Sequence, residues 1–337
     1  MNLIPAYPAP DFKEIEKWSD GLNYSIKDFK GKTILLDFWT YTCIYCLRTI
    51  PIMNKIKEKY KDNGLVVIPI HSSEYEFAKN ITNIGKAISA LNLDKYLIGF
   101  DIKNQTWEAY GNSYWPKHIF IDKEGFVRYE QPGYGMLKDF QEAISDLLDI
   151  PYGSNEAAKD EIEDKKEEFN EITKIYGMHF SEMAPEICLG YSRLRRFGNN
   201  QKLKINDYNI LTEPKTILDN TVYLRGKWRW DKEGIKISLD YKEKEPAIIF
   251  RYNKASNVNI IIGSDDNKAA IAEIKLDNEY LDLEQQGNHV KRKNGVSYID
   301  VSWPFIYNVV KTKNPEIHKI EIIPKSNNFC FYTFVFG

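Results

Sequence analysis

Two cysteines, Cys43 and Cys46, sit directly behind the apolar run Ile34-Leu35-Leu36-Asp37-Phe38-Trp39 and in front of a helix-like segment, Leu47 to Lys59. A pair at this spacing serves either a zinc site or a redox couple, and its flanks choose between them. When a β-favouring run feeds a helix start, residues three apart share one helix face. Their Cα atoms then fall within the roughly 4.4–6.8 Å that a disulfide requires. The first thiol also lies among the unpaired N–H groups and the positive dipole end of the helix, which favour a thiolate. A structural zinc site needs further ligands at short spacing. Cys188 and Cys330 are single and far apart, and His71, His118, His179, His289 and His318 are scattered. The pattern reads as a thiol–disulfide exchange centre, without a metal or other cofactor beyond the Cys43–Cys46 disulfide itself.

A chain of 337 residues exceeds the length at which single cores stop growing, so two domains are expected. A formal net charge of -2 gives no electrostatic case for nucleic acid or an anionic membrane as a partner. No run approaches the ~18–20 consecutive apolar residues of a membrane span. The start, Met1-Asn2-Leu3-Ile4-Pro5-Ala6-Tyr7-Pro8, lacks the basic and apolar regions of a signal peptide. Taken as given the chain reads as cytoplasmic; a trimmed N-terminus would make it extracytoplasmic.

Along the chain, strands over 34–39, 65–71, 96–101, 118–122 and 126–131 alternate with helices over 43–61, 77–91, 105–110 and 137–148. Alternation of this kind predicts an α/β domain, a central sheet covered on both faces, over residues 1–150. Pro151-Tyr152-Gly153-Ser154-Asn155 breaks the pattern, and 151–185 reads as a charged linker, partly helical within 156–170. Over 186–337 helical periodicity disappears. Short β-rich runs over 221–223, 235–239, 247–252, 258–263, 270–276, 296–301, 318–323 and 329–336 predict an all-β sandwich of jelly-roll type.

The first domain resembles the thioredoxin superfamily, and within it the TlpA-like redoxin domains of DipZ proteins. The resemblance rests on Ala9-Pro10-Asp11-Phe12, on Trp39-Thr40-Tyr41-Thr42-Cys43-Ile44-Tyr45-Cys46-Leu47-Arg48-Thr49-Ile50-Pro51, on His71-Ser72-Ser73-Glu74-Tyr75 and on Tyr114-Trp115-Pro116. The second domain is similar to the carbohydrate-binding-module-like β-sandwich that follows the redoxin domain in DipZ proteins. Pro185 to Tyr191, Leu224 to Trp228 and Phe331 to Gly337 carry that likeness. Family members usually have a multi-span membrane domain that relays electrons. None is present in this sequence, so the resemblance implies a separate electron donor, such as a membrane electron carrier, alongside protein disulfide substrates.

Roles follow residue by residue. Cys43, nearest the helix start, is the expected nucleophile, and Cys46, one turn further in, the resolving thiol. The resemblance makes Asp37 the buried carboxylate that exchanges a proton with the resolving thiol; the bland alternative is an exposed strand residue. It also makes Pro116 the cis-proline facing the pair, and Pro51 a proline that bends the active-site helix. Trp115, Trp39, Tyr41 and Tyr45 are expected around the substrate-binding site. His71 and Glu74 fall at a loop end where α/β folds place ligand residues, although a structural histidine is the commoner outcome. In the second domain Trp228, Trp230, Trp303 and Tyr307 form either a sugar-stacking platform or core. Core is the commoner fate, so glycan binding is the lesser expectation. A peroxide-reducing redoxin and a binding protein with a regulatory redox pair remain open as alternatives.

Overall fold

A computed structural model describes residues 2–135, 137–153, 171–177, 183–266 and 268–337. The chain divides into two compact units, Met1–Thr173 and Lys174–Gly337. The helix expected within 156–170 lies outside the described residues.

The first unit is built on β1 (Asn2–Pro8), β2 (Lys17–Trp18), β3 (Thr33–Trp39), β4 (Leu65–Ser72), β5 (Gly99–Asp101), β6 (Lys117–Ile121) and β7 (Phe126–Pro132). Its helices are α1 (Ile44–Tyr60), α2 (Ile81–Ala90), α3 (Gln105–Ala109) and α4 (Leu137–Leu148). The strands form one sheet in the order β1-β7-β6-β3-β4-β5-β2. β3, β4 and β5 are parallel, whereas β6, β7, β1 and β2 pair antiparallel. β3 lies near the middle and every residue of it is buried. Ile34, Leu36 and Phe38 pack with Ile68, Ile70, Trp107, Ile119 and Ile121 on one face. Side chains alternate along a strand, so Leu35, Asp37 and Trp39 take the other face. On that side His118 and Phe120 of β6 meet the ring of Phe140 from α4, which places Asp37 beneath a helix rather than in water.

Two edge strands are absent from the sequence expectation. β1 carries Pro5 and Pro8, which an edge tolerates because one side of the strand needs no donors. β2 has only two residues. The helix expected over 77–91 is a 3₁₀ turn, Glu76–Lys79, followed by α2. Asn80 separates them: its side chain accepts from the N–H groups of Thr82 and Asn83 and starts the second helix.

The second unit is all-β, as its sequence implies. Among the described residues eleven strands pair into one continuous antiparallel sheet. Two of them are long, β12 (Ala247–Ser264) and β17 (Phe305–Pro324), and they pair with each other along most of their length. The first part of β12 also pairs with β10 (Thr221–Trp230), and its last part with β18 (Phe329–Phe336). Register shifts between Tyr252 and Asn259 bend both strands, with Lys254 at φ 51. The sequence reads Asn253 to Asn257 as a turn between two strands; these bulges carry one strand through it instead.

Candidate active site around the cysteine pair

The cysteine loop springs from the C-terminal end of β3. β6 runs antiparallel to it with Phe38 opposite Lys117, so Pro116 lies at the same end of the sheet. The Trp115–Pro116 peptide is cis. Thr40 to Thr42 bridge β3 and α1, and all three are buried. Cys43 donates its backbone N–H to the Thr40 carbonyl (3.2 Å) and is the N-cap of α1, with φ −92 and ψ 112.

The two thiols are unlike. Cys43 is partly exposed, and its Sγ accepts the backbone N–H of Cys46 at 3.2 Å. That is the capping bond of a helix N-terminus made with sulfur. Cys46 is 1 % exposed. Burial pushes its thiol well above the ordinary range, and the Cys43 sulfur and the Asp37 carboxylate add to the shift, against a lowering contribution from the Thr40 backbone. Cys46 therefore needs a base before it can attack.

Asp37 is buried, and the exposed-strand alternative falls away. Its cross-strand partner is His118, with Nε2 3.3 Å from Asp37 Oδ1. The sequence reading gave His118 no role; the one signal available was a histidine inside a short run otherwise fit for a buried strand. Arg48 is a second buried charged side chain, on α1. It is 4 % exposed, with its guanidinium 5.6 Å from the centre of the Tyr45 ring, and burial lowers its pKa to about 10.

The aromatic residues assigned to the substrate face separate. Tyr45 is 37 % exposed beside Cys46, and Trp115 is half-buried and stacked on Trp107 with centroids 4.3 Å apart. Tyr41 and Trp39 are corrections. Both are buried, Tyr41 stacked on the His71 ring at 5.4 Å and Trp39 edge-on to it at 5.4 Å, so neither side chain can touch a substrate. The reason is that burial of β3 continues through the following loop, where polar groups bond inward. Thr40 Oγ1 lies 3.3 Å from Thr42 Oγ1 and 3.5 Å from His71 Nε2, and Thr42 donates to Glu74 at 2.8 Å. Burial pushes His71 down to about 3, so it is a neutral structural ring at the floor of the loop.

Among the described residues no group of three or more His, Cys, Asp and Glu is arranged to hold a metal ion. In the second unit Trp228 and Trp230 are buried, donating their indole N–H groups to the carbonyls of Arg225 and Leu189. Tyr307 is buried as well. These three are core and form no sugar platform. Cys188 and Cys330 are buried on β8 (Ile187–Cys188) and β18.

Comparison with known proteins agrees with this geometry. The family described as Redoxin matches residues 5–144, and the family described as Thioredoxin like C-terminal domain matches 184–337. The chain carries a redoxin domain followed by a thioredoxin-like C-terminal domain. Protein DipZ of Mycobacterium tuberculosis is 29% identical over 262 residues, 72% of this chain and 34% of that protein. The chain thus spans about a third of the length of its DipZ relatives. Thiol-disulfide oxidoreductase ResA of Bacillus cereus is 29% identical over 139 residues, all told 41% of this chain and 76% of ResA. Among solved structures, the exposed lipoprotein thioredoxin of Streptococcus pneumoniae aligns at 26% identity and a TM-score of 0.37, over 41% of this chain and all of its own (100%). No described helix of the redoxin domain or of its companion is long and apolar enough to cross a membrane.

Proposed function

We propose that the chain is a thiol–disulfide oxidoreductase in which Cys43 is the nucleophile and Cys46 the resolving thiol. The observation that carries this reading is the asymmetry of the pair: a partly exposed sulfur capping a helix, and a buried one held protonated. The Cys43 thiolate attacks a substrate disulfide, forms a mixed disulfide and releases one substrate thiolate. Cys46 gives its proton to Asp37 and attacks Cys43 Sγ, expelling the second substrate thiol. Two electrons pass from the cysteine pair to the substrate, and the reverse sequence oxidises a dithiol. The redox-active Cys43–Cys46 disulfide carries the electrons in these steps.

Protein disulfides are the proposed substrates, presented against Tyr45, Trp115 and Pro116, and a separate electron donor resets the pair. The proposed organisation is a redoxin domain over 1–150, a linker over 151–185 and a β-sandwich over 186–337, supported by the family matches at 5–144 and 184–337. Burial of Trp228 and Trp230 favours a protein contact over a glycan for the second domain.

Reduction of a small-molecule disulfide and of a protein disulfide by the full chain tests the reading. Wild-type protein turns over both, and Cys43→Ser neither; turnover that survives Cys43→Ser overturns it. A redox titration of the pair then gives the direction of electron flow. A potential near roughly −270 mV marks a reductant and one near roughly −120 mV an oxidant.

A further inference from the structure

Resolution requires a base for a thiol that burial holds protonated, and the base lies in an unusual setting. Asp37 and His118 face each other across β3 and β6, with side chains 7% and 0% exposed and Oδ1 and Nε2 3.3 Å apart. Neither atom makes a hydrogen bond. The other ring nitrogen fixes the tautomer. His118 Nδ1 lies 3.3 Å from the Gln131 carbonyl, which can only accept, so Nδ1 carries the hydrogen. In the neutral ring Nε2 then carries a lone pair, and it lies 3.3 Å from a carboxylate oxygen. Two buried acceptors in contact leave a slot for one proton.

We propose that Asp37 and His118 act as a single proton-holding pair for Cys46, with His118 as a positioning residue. The inference rests on the disulfide-exchange reading. As the Cys46 S–H bond breaks, its proton passes to the Asp37 carboxylate, and the new O–H donates to His118 Nε2. The Cys46 sulfur, now anionic, attacks Cys43 Sγ; the bond from Cys43 to the substrate sulfur breaks, and the departing thiolate takes a proton from solvent. The pair gains one proton and no net positive charge is created in the core. His118 strengthens the base because its lone pair has a partner only after the transfer.

The surroundings suit this role. From α4 the Phe140 ring packs on His118 with centroids 4.8 Å apart, adding no charge. From α1 the group that feels the Asp37 charge is Cys46, and from the turn before β5 it is the Tyr96 phenol, itself pushed up mainly by burial. Lys117 precedes His118 on β6, and its ammonium bonds to the Tyr110 carbonyl and pairs with Glu130 at 2.9 Å. Strand alternation sends it to the opposite face.

Rapid-mixing kinetics with His118→Phe, Asp37→Asn and the double variant in the full chain test the pair. His118→Phe is expected to leave formation of the mixed disulfide within about twofold and to slow resolution about tenfold, a small part of the roughly 10²–10⁴ that a positioned acid–base group contributes. The pH midpoint of resolution moves downward, because the Asp37 carboxyl loses the acceptor that holds its proton. In the Asp37→Asn background His118→Phe adds no further slowing. Equal slowing of formation and resolution, or a full tenfold effect on top of Asp37→Asn, overturns the pair. A wild-type chain that exchanges no disulfide overturns instead the reading on which the pair rests. Should His118→Phe fail to fold, nitrogen NMR of the reduced wild-type protein decides. A neutral Nδ1–H tautomer of His118 at neutral pH supports the proposal, and an Nε2–H tautomer or an imidazolium overturns it.

Discussion

Four cysteines occupy two environments in this molecule, and the contrast shows how little of thiol chemistry resides in the side chain. Cys43 and Cys46 stand at a helix start, where a backbone N–H reaches the first sulfur and a buried carboxylate lies near the second. Cys188 and Cys330 stand on strands, and burial pushes the Cys330 thiol up to about 12. In the all-β unit a thiol is a small apolar side chain. On the proposed reading, in the α/β unit the same group becomes a nucleophile because the chain leaves a sheet, caps a helix and keeps one sulfur partly in water. Sheet architecture explains the difference. β3 hands the chain to a helix N-terminus with unpaired N–H groups, whereas β8 and β18 start no helix at their cysteines.

The largest effect that could break this contrast is loss of function at one pair alone. Cys43→Ser is expected to reduce disulfide turnover by at least about 10³-fold, since no other described thiol can take over the attack. Cys188→Ser and Cys330→Ser leave turnover within about twofold. Alkylation of the native protein followed by peptide mapping provides a second check: Cys43 labels first, and Cys188 and Cys330 label only after denaturation.

Asp37→Asn is next, and it sharpens the contrast by removing the base while leaving both sulfurs. Resolution slows by about 10² and formation changes little, measured by stopped-flow mixing. The same variant raises thermal stability, because an amide N–H can donate to His118 Nε2 where the carboxylate faces it as a second acceptor. Equal slowing of both steps with a lowered melting temperature would reassign Asp37 to a purely structural role.

Much of the active site is legible in the sequence because it is local. Spacing and flanking runs place Cys43 and Cys46 at a helix start, the resemblance makes Asp37 buried and Pro116 cis, and the strand and helix around the pair appear within a residue or two. Long-range register is what the sequence does not display. His118 acquires a role only because β6 pairs with β3 so that it falls opposite Asp37. Tyr41 looks exposed in a loop beside the cysteines, yet the loop folds inward through Thr40, Thr42 and His71. In the β unit the same limit appears at Asn253 to Asn257, where turn-like residues belong to bulges inside one long strand.

Two smaller effects separate stability from chemistry. Trp228→Ala should cost about 3–5 kcal/mol by leaving a cavity, read in denaturant melts, with reduction of a small disulfide unchanged while the protein is folded. A loss of turnover in the folded variant would tie this core position to the exchange site. His71 carries a weaker signature. Its folded pKa, about 3, lies below the ordinary 6.5, so the unfolded chain binds more protons between these values. Its contribution to stability is complete above about 6.5 and is lost as pH falls toward about 3, at up to about 1.4 kcal/mol per pH unit. His71→Leu should flatten that limb in melts taken across the range; an unchanged limb would show that His71 is charged in the folded protein.

The central claim is that the first cysteine attacks and the second resolves. Mass-spectrometric mapping of the adduct formed when Cys46→Ser meets a protein disulfide tests it most directly. The account predicts a stable mixed disulfide at Cys43 and no adduct in the corresponding Cys43→Ser protein. An adduct accumulating on Cys46 in Cys43→Ser, or on Cys188 or Cys330 in either variant, would contradict it.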